Sequence, residues 1–119
     1  ETGHLVLGTV HTSGAPNTIH RIVDVFPSSQ QDQIRTQLAT CLKLVMTQRL
    51  IKKADDSGRV PAFEIMVSNI AIQNLIRENK IFQIPSVMQT SVADGMMQME
   101  KSIEQLLSSG LINYEDAQD

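Results

Sequence analysis

The first apolar residues of the chain predict a buried strand. The run at 5–10, Leu-Val-Leu-Gly-Thr-Val, carries no charge and is typical of a strand that is covered on both faces. Such a strand needs partners, and too few residues precede it to form one. We therefore expect its neighbouring strands to come from a preceding segment, and a start at Glu1 without an initiator Met agrees with a truncated chain.

Two amphipathic helices are predicted after this strand. A loop with Gly14 is followed by apolar residues at helical spacing over 17–25, and a proline then ends the helix. Ser28 or Ser29 is a candidate N-cap for a second helix, whose apolar positions recur every three or four residues up to about Lys43.

A β-hairpin is predicted in the middle of the chain. Branched and polar residues mix over 44–51 in a way that favours a strand, although a continuing helix also fits the pattern. A turn at 54–58 leads to a returning strand at 59–67. Pro61 has no N–H to donate, so we expect its end of the returning strand to lie at a sheet edge.

The rest of the chain predicts helices alone. The longest of them is expected to begin at Asp94-Gly95-Met96, to present an apolar face up to Leu107 and to end before Gly110. The tail of the chain therefore reads as a helical subdomain.

Composition and charge exclude several functions. With 41% hydrophobic and 19% charged residues, the chain is an ordinary globular one. A net charge of −3 and a single basic pair, Lys52-Lys53, give no electrostatic footprint for nucleic acid. No apolar run approaches the roughly 20 residues that span a bilayer, so we expect no direct membrane insertion. Cys41 is the single cysteine, which fits a reducing compartment.

The chain lacks a phosphate-binding loop of the form G-x-x-x-x-G-K-[ST]. Such a loop cradles phosphate with backbone amides while its Lys reaches the phosphate charge. None of the six glycines is followed by Lys. We therefore expect the chain by itself to bind no nucleotide and to hydrolyse no ATP.

The histidines and the cysteine do not form a pattern that indicates a metal. His4, His11, His20 and Cys41 are potential ligands, but an odd spacing puts His4 and His11 on opposite faces of a continuous strand. We expect no metal site. From their spacing alone, the two histidines would also fit satisfied or solvent-facing side chains at a strand end.

Thr2-Gly3-His4, the apolar strand and His11-Thr12 together resemble the histidine box of the secretion ATPase superfamily. The resemblance implies that His11 senses the γ-phosphate of ATP, with Thr12 beside it and His4 in support. The physical reason is that a strand end can hold an imidazole N–H and a hydroxyl at a rigid position.

Further stretches extend the resemblance over essentially the whole chain. The residues at 18–27 and 58–66 are similar to two other conserved stretches of the superfamily, and those at 71–78 look like the A-I-R-N-L-I-R-E motif of twitching-motility retraction ATPases. That motif comprises Ala71, Ile72, Gln73, Asn74, Leu75, Ile76, Arg77 and Glu78. Pilus-extension motors usually carry zinc-binding cysteine pairs in the hairpin, which this chain lacks, so the retraction branch is favoured.

The resemblance implies an α/β fold in two parts. Residues 1–68 would be the C-terminal portion of a RecA-like P-loop ATPase core, and residues 69–119 an all-helical subdomain. It also implies a parent protein that uses ATP and Mg²⁺, forms a homohexameric ring in the cytoplasm at the pilus base, and acts with the inner-membrane platform protein of the pilus. The alternative is a stand-alone protein-interaction module without ATPase activity.

Within the retraction motif, the resemblance leaves two roles open. Ile72, Leu75 and Ile76 fit a core helix face as well as a contact surface, whereas Asn74, Arg77 and Glu78 are better candidates for contacts. Some residues depart from the family pattern, which leaves open a main retraction motor or a divergent paralogue. These residues are Gly14, His20, Phe63 and Gln73.

Overall fold

A computed structural model describes residues 4–10 and 12–118, which form helices around one β-hairpin. Short 3₁₀ turns precede or follow several of the helices, at Ser28–Gln30, Ile81–Gln83 and Val92–Asp94. The regular elements are α1 (Ala15–Asp24), α2 (Gln31–Cys41), β1 (Leu44–Lys52), β2 (Arg59–Val67), α3 (Ile70–Arg77), α4 (Ile84–Thr90), α5 (Met99–Ser108) and α6 (Tyr114–Ala117).

The predicted hairpin is confirmed, and the alternative of a helix over 44–51 is wrong. β1 and β2 pair antiparallel, with Leu44 opposite Val67 at the open end. In the turn, the Ser57 N–H and hydroxyl donate to Asp55 Oδ1 over 2.9 and 2.6 Å. These two bonds stabilise the carboxylate and lower the pKa of Asp55.

The outer edge of β2 is hydrogen-bonded to the helical tail. The Phe63 N–H donates to Ser102 Oγ over 3.0 Å, and Ile65 exchanges two backbone bonds with Met97, of 2.8 and 2.9 Å. Positions 61, 63 and 65 alternate along β2, so the backbone nitrogen of Pro61 faces the same outer edge as the N–H groups of Phe63 and Ile65. Proline has no N–H to donate there. The expectation that Pro61 lies at a sheet edge therefore holds.

Two hydrophobic clusters stabilise the fold. The larger one joins α1, α2, α3 and α4 to the open end of the hairpin, and the smaller one joins the turn end to α5 and α6. The larger cluster contains residues from both sides of the division expected between residues 68 and 69, and that division stays a prediction. Its fully enclosed side chains include Ala15, Ile19, Met66, Ile72, Ile76 and Ile84.

The predicted helices form, with differences at their starts. α1 begins at Ala15 with a proline in its first turn, and neither Ser28 nor Ser29 caps α2 through its side chain. α5 begins at Met99, so the expected start at Asp94-Gly95-Met96 is wrong. Gly95 adopts a left-handed φ of 94°, and the backbone of Met97 is held by β2, so neither can join a helix.

The strand predicted at 5–10 is not formed. Residues 4–10 have no regular secondary structure, and Leu5, Val6 and Leu7 are 81%, 81% and 90% exposed. A strand requires a hydrogen-bonded partner, and the hairpin, which is the one sheet among the described residues, does not pair with this run. Among residues 4–10 and 12–118, no helix is long and apolar enough to cross a lipid bilayer.

Candidate functional site: the loop before the first helix

The loop at 12–14 turns sharply into α1. Gly14 has φ 89° and ψ 154°, a combination that is essentially restricted to glycine. The Asn17 side chain donates from Nδ2 to Ser13 O over 2.9 Å and so ties the first turn of the helix back to the loop. The loop is therefore held by its own helix, although α1 has no side-chain cap from the residue before it.

Two threonine hydroxyls form the polar centre of this loop. Thr12 Oγ1 and Thr18 Oγ1 lie 2.7 Å apart, and the Thr18 hydroxyl is placed to donate to Gly14 O over 2.9 Å. When Thr18 donates to Gly14, the Thr12 hydroxyl is the donor of the pair, because Thr18 has only one hydroxyl proton.

The same geometry permits the opposite hydroxyl order. Gly14 O also accepts the Thr18 backbone N–H over 3.1 Å, so it keeps a partner if the Thr18 hydroxyl turns toward Thr12. Thr12 then has its own O–H available for an outside acceptor, such as a phosphate oxygen. In this order Thr12 accepts from Thr18 and donates outward at the same time, while Gly14 O keeps its backbone partner.

A polar groove of about 440 Å³ opens beside Thr12. Its α1 wall carries a positive and a negative side chain one turn apart, Arg21 and Asp24. The Arg21 guanidinium suits phosphate oxygens, whereas the Asp24 carboxylate would repel them. The other residues that line the groove are Ser13, Asn17 and His20.

The structure describes two of the three residues predicted for phosphate sensing, Thr12 and His4. Thr12 is half-buried in the loop, and His4 lies in the exposed segment before it. His11 lies outside the described residues. The roles of all three stay predictions.

No three His, Cys, Asp or Glu side chains within residues 4–10 and 12–118 converge in a way that could hold a metal ion. The expectation of no metal site in this chain stays a prediction.

Sequence reasoning missed Arg21 and Glu64 as parts of this site. Arg21 was detectable, because residues 17, 20, 21 and 24 recur at helical spacing opposite the apolar face of α1. Glu64 accepts a hydrogen bond from the Ala15 N–H over 2.7 Å, across 49 residues of sequence, and no local pattern indicates that contact.

α3 carries the segment that resembles the retraction motif, and its residues divide between core and surface. Ile72 and Ile76 are fully buried, whereas Asn74, Arg77 and Glu78 are exposed. Arg77 Nη1 donates to Asn74 Oδ1 over 3.0 Å along the exposed face. Ala71 is also exposed, and Gln73 and Leu75 are half-buried. The side chains of Ile72 and Ile76 therefore pack in the larger hydrophobic cluster.

Asn69 fixes the start of α3, and its removal is expected to destabilise the chain. Asn69 Oδ1 accepts the Ile72 N–H over 2.9 Å, and its Nδ2 donates to Asp94 Oδ2 over 2.9 Å. We expect Asn69→Ala to lower the free energy of unfolding by about 1 kcal/mol, because the cap bond is lost. Denaturant unfolding measures this. Asn69→Ser is the control, since it keeps a cap acceptor but not the bond to Asp94, and an equal loss in both variants would contradict the cap role.

A comparison with known families gives the class of protein. The family model described as type II/IV secretion system protein matches residues 1–117, so the chain belongs to this family. The resemblance to the secretion ATPase superfamily that the histidine box indicates is therefore confirmed.

Two curated relatives and one solved structure sharpen the assignment. The chain is 51% identical over 117 residues to a twitching motility protein of Neisseria gonorrhoeae, covering 98% of this chain and 31% of that protein. It is 46% identical over 119 residues to the type IV pilus retraction ATPase PilT of Pseudomonas aeruginosa, covering 100% and 34%. The crystal structure of the pilus retraction motor PilT with bound ADP matches with a TM-score of 0.87 and 49% identity, over 98% of this chain and 32% of that one.

These matches confirm the predicted resemblance to the pilus-retraction branch of the superfamily. They also confirm the predicted α/β fold class, that of part of a secretion ATPase. The chain spans about a third of the length of the relatives it matches.

Proposed function

We propose that this chain is the C-terminal part of a hexameric ATPase motor that powers the retraction of type IV pili. The observation that carries the proposal is the match over nearly the whole chain to a pilus retraction motor with bound ADP, at a TM-score of 0.87. The identity of 51% to a twitching motility protein supports the same assignment. The parent protein would bind ATP with Mg²⁺.

In this motor, the loop before α1 would read the terminal phosphate. When Thr18 donates to Thr12, the Thr12 hydroxyl can donate to a phosphate oxygen, so these residues fit a nucleotide phosphate. His11 would supply the sensing imidazole and His4 would support it. The bound nucleotide would supply the anionic charge that draws these donors outward.

The helical tail would carry the contacts that turn hydrolysis into force. The exposed side chains of Asn74 and Arg77 on α3, and of Glu78 directly after it, would contact a neighbouring subunit or the platform protein of the pilus. The ring would act in the cytoplasm, peripheral to the inner membrane. A fixed positive charge on the exposed face makes Arg77 the leading contact residue.

Arg77→Ala in the full-length motor is expected to abolish twitching while ATP turnover stays within about twofold of the wild type, because Arg77 lies on the surface and outside the core. Twitching zones and steady-state ATPase rates measure the two effects. Lys101→Ala is the control, since Lys101 is an exposed cation on α5. A full-length protein without ATPase activity would contradict the proposed motor. A wild-type twitching zone in Arg77→Ala would contradict the contact role of Arg77.

The alternative is a stand-alone protein-interaction module without ATPase activity. The coding sequence upstream of Glu1 separates the two. A glycine-rich loop ending in Lys-Ser or Lys-Thr, roughly a hundred residues earlier, supports the motor, because such a loop holds the nucleotide phosphates. A natural start near Glu1 supports the module.

A further inference from the structure

Glu64 occupies an unusual place on the hairpin. It lies on the core face of β2, where it alternates with the fully buried residues Ala62 and Met66. A carboxylate on such a face is costly unless its oxygens accept hydrogen bonds. Glu64 is half-buried, and its Oε2 accepts the Ala15 N–H over 2.7 Å.

This bond ends at the first turn of α1. A carboxylate there satisfies a helix amide that has no partner within the helix, and its charge is favoured by the helix dipole. The contact extends to the preceding residue, because a Cβ on Gly14 would lie 3.3 Å from Glu64 Oε2. Glu64 therefore holds the Ala15 N–H, and the Gly14 carbonyl of the same peptide group is the acceptor for Thr18.

The backbone on both sides of Glu64 is held by the helical tail. Phe63 donates to Ser102 on α5, and Ile65 exchanges two bonds with Met97. The side chain of Glu64 thus binds the loop before α1, while its two neighbours bind the tail. β2 joins the two through adjacent residues.

We propose that Glu64 is a positioning residue that sets the orientation of Thr12 relative to the helical tail. A displacement of the tail at Met97 or Ser102 moves β2, and Glu64 passes that movement to Gly14 and the Thr12–Thr18 hydroxyl pair. The effect on catalysis rests on the proposed function, because it requires Thr12 to face a nucleotide phosphate. The link from the helical tail through Glu64 to Ala15 does not depend on the proposed function.

Amide hydrogen exchange in the full-length protein without nucleotide tests the link. We expect Glu64→Ala to raise the exchange rate of the Ala15 amide about tenfold, because a bond to a charged acceptor is lost. Glu64→Gln keeps a neutral acceptor and is expected to give an intermediate rate, about threefold above the wild type. Glu100→Ala, which removes an exposed carboxylate on α5, is the control and should leave the rate unchanged.

The connection to the tail has its own test. Ser102→Ala should raise exchange at Ala15 in the wild-type background and have no further effect in Glu64→Ala, since the movement passes through Glu64. Unchanged exchange at Ala15 in Glu64→Ala overturns the proposal. Additive effects of the two substitutions overturn the connection to the tail.

A kinetic measurement separates positioning from folding. We expect Glu64→Ala to lower kcat about tenfold at unchanged KM for ATP, with Glu64→Gln recovering most of the loss. Normal kcat in Glu64→Ala together with a defect in His11→Ala would overturn the positioning role and leave the proposed function standing. Normal kcat in both variants would overturn phosphate sensing, and the exchange rates would still decide whether Glu64 fixes the loop.

Discussion

ATP turnover by the full-length motor is expected to fall by about 100-fold when His11 is replaced by alanine, while the Kd for ADP stays within about twofold. The physical reason is that the imidazole is proposed to donate to the γ-phosphate, which ATP has and ADP lacks. An interaction of that kind stabilises the reacting state more than it stabilises bound product. Steady-state turnover and fluorescent nucleotide titrations measure the two quantities.

The control for His11 is an exposed side chain outside the groove beside Thr12. Gln37 lies exposed on α2 and does not line that groove. Gln37→Ala should change turnover by less than about threefold, because an exposed side chain outside the site contributes little to it. An equal loss of ATP and ADP affinity with normal turnover in His11→Ala would contradict γ-phosphate sensing.

The second large effect is expected in the core. Ile76→Ala should lower the free energy of unfolding by about 2–5 kcal/mol, because it leaves a cavity at a fully enclosed position of α3. Urea unfolding followed by circular dichroism measures the change. Ile70 offers a matched control on the same helix, since it is 75% exposed and its replacement should cost less than about 0.5 kcal/mol.

This pair of variants also separates packing from contact within the retraction motif. If Ile76 acts through packing, Ile76→Ala should reduce retraction only as far as it reduces the amount of folded protein. Loss of retraction at unchanged stability would instead make Ile76 a contact residue, against its complete burial in the structure.

Local patterns were sufficient for most of the fold. The hairpin follows from two strand-like runs around an Asp- and Gly-containing turn, and α3 follows from apolar residues at helical spacing. The end of α5 was also readable, because Gly110 with φ 78° allows Leu111 N–H to reach Leu106 O over 3.1 Å.

The parts that sequence reasoning missed depend on distant contacts. α5 starts late because Met97 pairs with Ile65, more than thirty residues earlier. The run at 5–10 has the composition of a strand, but composition cannot supply the neighbour that a strand must pair with. In the site, Thr12 was found through the resemblance, whereas Glu64 could be recognised only from its contact with Ala15.

The protected edge of β2 has a consequence for assembly. At three successive outward positions, Pro61 has no donor and Phe63 and Ile65 are already bonded to the tail. An exposed strand edge is otherwise a template on which a foreign strand can add, which leads to aggregation. With these positions of the β2 edge occupied, another strand would add more readily along β1, so copies in the proposed ring would be protected on one side from joining through their sheets.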